Sequence, residues 1–224
     1  HDTVRRQRQM CIRDRIFGVG LATDAFFVAF KIPNLLRRIS AEGAFTQAFI
    51  PILSEYKSKK TQKDAAILIN KVATFLGLFL IIVTTLGVLG APWLIYISAP
   101  GFVSDPEKFN LTVEMLRITF PYIFFISLVS MAGGILNSYG KFLVPAFTPV
   151  WLNISFIVGA LFFSDSFSQP VLVLAWAVFV GGALQLFFQI PFLKQIGFLP
   201  KLDININDPG VWKITRLMGP AILG

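Results

Sequence analysis

Four long stretches of the chain contain no Asp, Glu, Lys or Arg. They cover Val72–Ser98, Ile118–Gly140, Phe142–Ser164 and Ser166–Leu193. A helix needs roughly 20 apolar residues to cross the hydrocarbon core of a bilayer, so each stretch can form one membrane span. A single segment in lipid must be helical, because only a helix satisfies its own backbone hydrogen bonds there. The pattern therefore predicts an all-α integral membrane protein built as a polytopic helical bundle.

Further apolar sequence extends this bundle toward both ends of the chain. Residues 16–53 are apolar enough to cross the membrane although they carry several charges, and another span begins near Trp212. Residues 1–15 read HDTVRRQRQMCIRDR and share neither the composition nor the apolar texture of the rest. We interpret residues 1–15 as a non-native, adapter-like segment, with a basic membrane-surface arm as the alternative. Residues 16–224 then form one transmembrane lobe, truncated at both ends.

The composition excludes several classes of protein. The chain is 55% hydrophobic and only 14% charged, whereas an ordinary soluble domain is about 25% charged. It contains one Cys and one His, and the His is residue 1. A structural zinc site needs several Cys or His ligands, and a nucleophilic Ser or Cys needs a positioned base. We therefore expect no metal site and no His-dependent catalytic centre.

Lys and Arg are unevenly distributed among the connections between the predicted spans. Three connections are rich in them: residues 54–71, the junction at Lys141 and residues 194–216. The two connections that alternate with these, residues 99–117 and the turn around Asp165, carry few. Cytoplasmic loops of membrane proteins carry the excess of Lys and Arg. The alternation predicts that the three basic connections lie in the cytoplasm.

Proline and glycine are frequent inside the predicted spans, as at Pro121, Gly181 and Gly182. Small residues allow membrane helices to pack closely, and this is the interpretation that we favour. The alternative is that they are hinges of a moving transporter, because proline leaves a backbone carbonyl unpaired and permits a bend.

The stretch 22–56, ATDAFFVAFKIPNLLRRISAEGAFTQAFIPILSEY, places charges in an otherwise apolar span. A charge at the bilayer centre costs roughly 2.5–3.5 kcal/mol even on the mildest scale. At about 100° per residue, Asp24, Lys31 and Glu42 fall on one helix face. Arg38 lies near that face and can pair with Glu42 at i, i+4 spacing. Either these charges end a short helix at the headgroups, or they line an aqueous cavity; the apolar sequence that continues past Glu42 favours the cavity.

Two arginines in such a cavity indicate an anionic ligand. The guanidinium groups of Arg37 and Arg38 can each bind phosphate through two parallel hydrogen bonds. The acidic residues of the same stretch would hold these arginines while the cavity is empty. Asn34 stands beside Pro33, and this pair marks the point where the helix would bend.

The same stretch resembles the signature second helix of the MurJ/MviN family of bacterial lipid II flippases. The resemblance extends over residues 16–224 and includes APWLIYISAPGF, LRITFPYIFFISL, LNSYGKFLVPAFTPVWLNIS and VLVLAWAV. It implies the first six-helix lobe of a MOP-superfamily, MATE-like transporter. By position, Arg37 matches the cavity arginine expected to meet a pyrophosphate. Asp24 and Glu42 match acidic residues at the cavity and its gates, and Asn34 falls at the bend of the helix.

The resemblance also implies a function. A flippase of this family is a transporter, not an enzyme, and moves lipid II from the cytoplasmic to the outer leaflet by alternating access. Lipid II is the undecaprenyl-pyrophosphate-linked muropeptide used for peptidoglycan synthesis. We expect lipid II, membrane lipids and other cell-wall synthesis proteins as partners, no nucleic acid, and a bacterial inner-membrane location. We expect no bound cofactor, but a dependence on membrane potential or an ion.

Two other functions are alternatives to this one. A related exporter of another lipid-linked saccharide or of drugs would share the lobe architecture. A membrane enzyme acting on polyprenyl phosphates would need clustered carboxylates for Mg²⁺ or a catalytic base. The longer connections offer only scattered acids, such as Asp105 and Asp203, so the sequence argues against the enzyme.

Overall fold

The computed structural model describes residues 21–37, 46–163, 167, 169–203, 212–214 and 216. Apart from a short 3₁₀ turn at Pro100–Phe102, every regular element in this part of the chain is an α-helix, which confirms the predicted all-α fold. The helices are α1 (Leu21–Arg37), α2 (Thr46–Lys59), α3 (Gln62–Leu89), α4 (Ala91–Ser98), α5 (Pro106–Thr119), α6 (Tyr122–Ser138), α7 (Leu143–Phe147), α8 (Val150–Phe162) and α9 (Leu172–Gln195).

Four helical segments in the described residues are long and apolar enough to cross a membrane. They are Gln62–Leu89, Pro106–Ser138, Leu143–Phe162 and Leu172–Gln195. Each overlaps one of the four charge-free stretches. The fold is therefore that of a multi-pass membrane protein, as the sequence predicts.

The start of α3 lies well before the charge-free stretch that predicts this span. Thr61 caps the helix: its hydroxyl oxygen accepts from the backbone N–H of Asp64 at 3.3 Å. The Asp64 carboxylate accepts from the Thr61 backbone N–H at 3.0 Å in return. Such a reciprocal cap satisfies two N–H groups that a helix start leaves without partners. The helix therefore begins at the charged residues, which a search for uncharged stretches leaves out.

The predicted outer connection 99–117 is largely helical. Asp105 caps α5, because its Oδ1 accepts from the backbone N–H groups of Glu107 and Lys108, both at 3.2 Å. Pro121 lies between α5 and α6 and lacks the N–H that would continue the hydrogen-bond ladder of α5 into α6. Pro106–Ser138 therefore forms one broken span, of which the charge-free stretch predicts only the second part.

Helix α6 lies at the centre of the bundle. It contacts α1, α2, α3, α7 and α9, while α8 packs along α9 and α1 packs along α5. Ile135 and Leu136 of α6 are fully buried. Large apolar side chains on the outer faces of α3 and α8, such as Leu86 and Leu161, are exposed. In a membrane protein these outer faces meet lipid. Apolar side chains therefore form both the core of the bundle and its outer surface.

Two glycines allow α9 to approach its neighbours closely. A Cβ on Gly181 would lie 3.1 Å from the Cα of Leu152 on α8, and one on Gly182 would lie 2.8 Å from the Tyr122 ring of α6. Gly77 of α3, by contrast, has open space where its Cβ would be. At Gly181 and Gly182 the close-packing interpretation is therefore sufficient, and no hinge is needed.

The three basic connections meet at one end of the bundle. The Lys57 ammonium donates to the backbone carbonyl of Ser138 at the end of α6, at 2.8 Å. Lys213 pairs with Glu55 at 2.9 Å, and the backbone N–H of Lys201 donates to a side chain near the start of α3. Residues that lie far apart in sequence, in the predicted cytoplasmic connections or at a helix end beside one, are therefore neighbours.

The carboxylate of Glu55 forms ion pairs with two lysines at this end of the bundle, Lys213 and Lys59. Its hydrogen bond and charge attraction to Lys213, supplemented by Lys59, lower the pKa of Glu55 below its usual value of 4.5. A carboxyl group whose pKa is lowered by folding stabilises the fold above its unfolded pKa and loses this contribution as the pH falls. The contact is therefore complete at neutral pH and weakens only in acid.

Candidate functional site

A cavity of about 560 Å³ opens within the bundle. Its wall is formed by residues of α1, α2, α6, α7, α8 and α9 and of the link between α7 and α8. Among the described residues, no Asp, Glu, Lys or Arg lines it. The polar residues of the wall are Asn34, Thr46, Ser130, Asn137, Thr148, Gln185 and Gln189. The described part of the cavity thus offers uncharged hydrogen-bonding groups set among apolar ones, which is typical of a ligand pocket.

Hydrogen bonds between helices hold part of this wall in place. The Thr148 hydroxyl donates to the carbonyl of Val144, one turn earlier, at 2.8 Å. The same oxygen accepts from Nε2 of Gln189 on α9 at 2.9 Å. The hydroxyl groups of Thr46 and Ser130 lie 3.3 Å apart and link α2 to α6. These hydrogen bonds therefore join four helical segments of the wall: α2, α6, α9 and α7 with the link that follows it.

The cavity lies beside the segment that carries the predicted arginines. Asn34 of α1 and Thr46, the first residue of α2, both line it. Arg37 is the last residue of α1, one turn after Asn34. Arg38 and Glu42 lie outside the described residues. The structure thus brings both flanks of the predicted site to the cavity wall.

The other predicted residues of α1 lie elsewhere. Asp24 and Lys31 are exposed, and neither belongs to the described lining of the cavity. The Asp24 carboxylate instead pairs with Lys108 at 3.2 Å, because α1 and α5 pack together and bring their first turns close. Pro33 is buried, and α1 continues through it to Arg37.

The pair of Asp24 and Lys108 allows a test by charge exchange. Asp24 is 60% exposed, so the pair is expected to contribute less than about 1 kcal/mol to stability. In the protein expressed from its full gene, Asp24→Lys or Lys108→Asp alone should lower the melting temperature slightly in low salt. The exchanged double variant should recover it, because the attraction is restored. A double variant less stable than either single variant would contradict the pairing.

The pattern of charges in the apolar spans did not indicate the amide residues of α9 as part of a site, because Gln185 and Gln189 carry no charge. A usable signal was present, however, because the two glutamines are four residues apart and therefore share a helix face in an otherwise apolar span. The same reason explains why Ser130 and Thr148 were missed.

The comparison with known proteins places the chain in a family. The family described as "MurJ: Lipid II flippase MurJ" matches residues 14–224, which is most of the chain. The chain belongs to the MurJ family. The resemblance seen in the sequence is thereby confirmed, and with it the assignment to the MOP superfamily and its transporter fold.

Individual MurJ proteins show how far the similarity extends. The chain is 49% identical over 209 residues to the probable lipid II flippase MurJ of Buchnera aphidicola subsp. Acyrthosiphon pisum (strain APS), covering 93% of this chain and 41% of the relative. It is 46% identical over 211 residues to the lipid II flippase MurJ of Burkholderia cenocepacia, covering 92% and 41%. The chain therefore spans about two-fifths of the length of these MurJ relatives.

A solved structure supports the same placement. It is described as lipid II flippase MurJ in an inward closed conformation, and it matches with a TM-score of 0.74 at 28% sequence identity. The match covers 93% of this chain and 42% of that structure. The helical arrangement described above is thus an arrangement that a MurJ protein adopts over part of its length.

Proposed function

We propose that the protein expressed from the full gene is a lipid II flippase. It would move the undecaprenyl-pyrophosphate-linked muropeptide from the cytoplasmic to the outer leaflet by alternating access, as a transporter rather than an enzyme. The observation that carries this proposal is the family match over residues 14–224. The two relatives described above bear the same functional description.

Within this function, we assign Arg37 and Arg38 to the pyrophosphate. Guanidinium groups bind phosphate oxygens in pairs, and a diphosphate offers several such oxygens. The position of Asn34 and Thr46 in the cavity wall supports this assignment, because they flank the segment that carries Arg38 and Glu42. Glu42 would hold these arginines when no substrate is bound.

Four further residues of α1 complete the proposed transport path. Asp24 serves at a gate, and its pairing with Lys108 of α5 gives it a partner to release when that gate moves. Lys31 adds a positive charge on an exposed face of α1. Asn34 and Pro33 act as the hinge, because the proline removes one backbone hydrogen bond at this point of the helix.

We also propose an orientation in the bacterial inner membrane. Residues 54–71, Lys141 and residues 194–216 face the cytoplasm, and residues 1–15 are a non-native segment before a transmembrane lobe of residues 16–224. The contacts of Lys57 with Ser138 and of Lys213 with Glu55 support the orientation, since they gather the basic connections at one end. Positive charge favours the cytoplasmic side.

Complementation tests the proposed function. The full gene is expressed in bacteria depleted of their own lipid II flippase, with an empty vector as control, and growth and cell shape are followed. We expect the gene to restore both, because a flippase supplies the precursor for the cell wall. If the protein is inserted in the membrane and restores neither, the proposal is wrong and a related exporter of another lipid-linked saccharide or of drugs replaces it.

A further inference from the structure

Two glutamine side chains of α9 face the cavity from within the bundle. Gln185 is 3% exposed and Gln189 is 1% exposed, and both line the cavity. They are one helical turn apart, so their amide groups lie above one another on the same face of α9. Buried amides in a membrane span are costly unless their hydrogen bonds are satisfied.

The contact with Thr148 fixes which way the Gln189 amide points. The Thr148 hydroxyl proton is already used in the bond to the carbonyl of Val144. Its oxygen can then only accept, so the group of Gln189 that faces it must be the NH₂ group. The amide oxygen of Gln189 consequently points away from this contact.

The amide oxygens of Gln185 and Gln189 are the unused acceptors of the wall. Neither oxygen has a hydrogen-bond partner within the part of the chain that the structure describes. A buried acceptor without a partner destabilises the protein, and this cost is recovered when a donor reaches it. Since the described wall contains no charged side chain, it suits an uncharged group that donates hydrogen bonds, such as a hydroxyl or an amide N–H.

We propose that Gln185 and Gln189 bind the uncharged, hydrogen-bond-donating part of the transported headgroup, its sugar hydroxyls or peptide amides. This inference rests on the proposed flippase function and assigns a second subsite to it. The arginine-bearing segment after Asn34 would meet the pyrophosphate, while the α9 glutamines read the muropeptide attached to it. Because the cavity wall joins Asn34 to both glutamines, one headgroup can reach both subsites.

A binding experiment on the purified protein expressed from its full gene separates the two subsites. The variant Gln185→Met/Gln189→Met keeps the length of the side chains but removes the amides. Binding is measured for lipid II and for undecaprenyl pyrophosphate, which has the same lipid and pyrophosphate but no muropeptide. We expect about a tenfold loss of affinity for lipid II, equivalent to about 1.4 kcal/mol, and unchanged affinity for undecaprenyl pyrophosphate. The matched control, Gln195→Met at the exposed end of α9, should change neither.

Each result decides the proposal. An equal loss for both lipids would show a structural role for the glutamines, and no loss for either would remove them from binding; both results overturn the subsite. If the double variant does not accumulate, Gln189→Asn replaces it, because it keeps the amide but withdraws it by one methylene, and it should weaken lipid II binding alone about threefold. Failure of the unmodified protein to bind either lipid would instead refute the flippase function itself.

Shortened precursors identify the source of the donors. If the unmodified protein and the double variant bind a precursor with one sugar equally well, the second sugar supplies the hydroxyl groups that the glutamines accept. If they bind a precursor with a shortened peptide equally well, the peptide N–H groups do. A difference of about tenfold retained with both precursors places the donors on the remaining sugar. All three results support the subsite.

Discussion

Arg37→Ala, in the protein expressed from its full gene, is expected to abolish lipid II transport, whereas Arg38→Ala should reduce it only mildly. The reason is the role that we propose for Arg37, as the cavity residue that meets the pyrophosphate. Hydrogen bonds to charged groups are worth about 1.5–3 kcal/mol each. The loss of two such bonds to a pyrophosphate would lower transport by about 100-fold or more. The measurement is the amount of lipid II that reaches the outer leaflet.

Arg37→Lys provides the control for charge alone. Lysine keeps the positive charge but cannot form the paired hydrogen bonds of a guanidinium group. We expect it to retain more transport than Arg37→Ala and less than the unmodified protein. Equal tolerance of Arg37→Ala and Arg38→Ala, at equal amounts of protein in the membrane, would contradict the assignment of Arg37.

Gly181→Ala is expected to destabilise the bundle strongly. The added Cβ would lie 3.1 Å from the Cα of Leu152 and 2.7 Å from its Cδ1, so α8 and α9 would have to separate. Overpacking of this kind typically costs about 1–3 kcal/mol. The variant should melt at a lower temperature in detergent and accumulate in smaller amounts than the unmodified protein.

The matched control is Gly77→Ala, on a different membrane-spanning helix. Open space surrounds the position of its Cβ, and alanine is a better helix former than glycine by about 1 kcal/mol. Gly77→Ala should therefore be neutral or slightly stabilising. Similar melting temperatures for Gly181→Ala and Gly77→Ala would show that α8 and α9 do not pack through Gly181.

The sequence predicted the membrane-spanning character of the chain because lipid imposes a simple rule. A span must avoid unpaired charges for roughly 20 residues, and stretches such as Phe142–Ser164 show this without any knowledge of their neighbours. Helix ends follow other rules. The capping contacts of Thr61 and Asp105 use polar and charged side chains, so α3 and α5 begin in sequence that a hydropathy argument assigns to loops.

The candidate site was predicted less completely for a related reason. Charges stand out in an apolar span, so the sequence pattern indicates a site around Arg37 and Glu42. Uncharged amides do not stand out in this way. The importance of Gln185 and Gln189 depends on neighbours that lie far away in sequence, such as Thr148. Helical periodicity alone cannot predict that a residue of α1 such as Asp24 pairs with α5, because the partner is chosen by tertiary packing.

The two kinds of polar residue suggest a division of recognition within one lobe. Arg37, the last residue of α1, and Arg38 carry the positive charge that we propose for the pyrophosphate. Gln185 and Gln189 of α9 carry the neutral acceptors that we propose for the muropeptide. A substrate that satisfies both must combine an anionic link with an uncharged, donor-rich headgroup. Such dual recognition discriminates against substrates that offer only one of the two features.

The most direct test of the flippase function measures lipid II at the outer leaflet of bacteria depleted of their own flippase. Cells that express the full gene are compared with cells that carry an empty vector and with cells that express the Arg37→Ala variant. We predict that lipid II becomes accessible at the outer leaflet only with the unmodified protein. If lipid II stays inaccessible although the unmodified protein is present in the membrane, the protein is not a lipid II flippase.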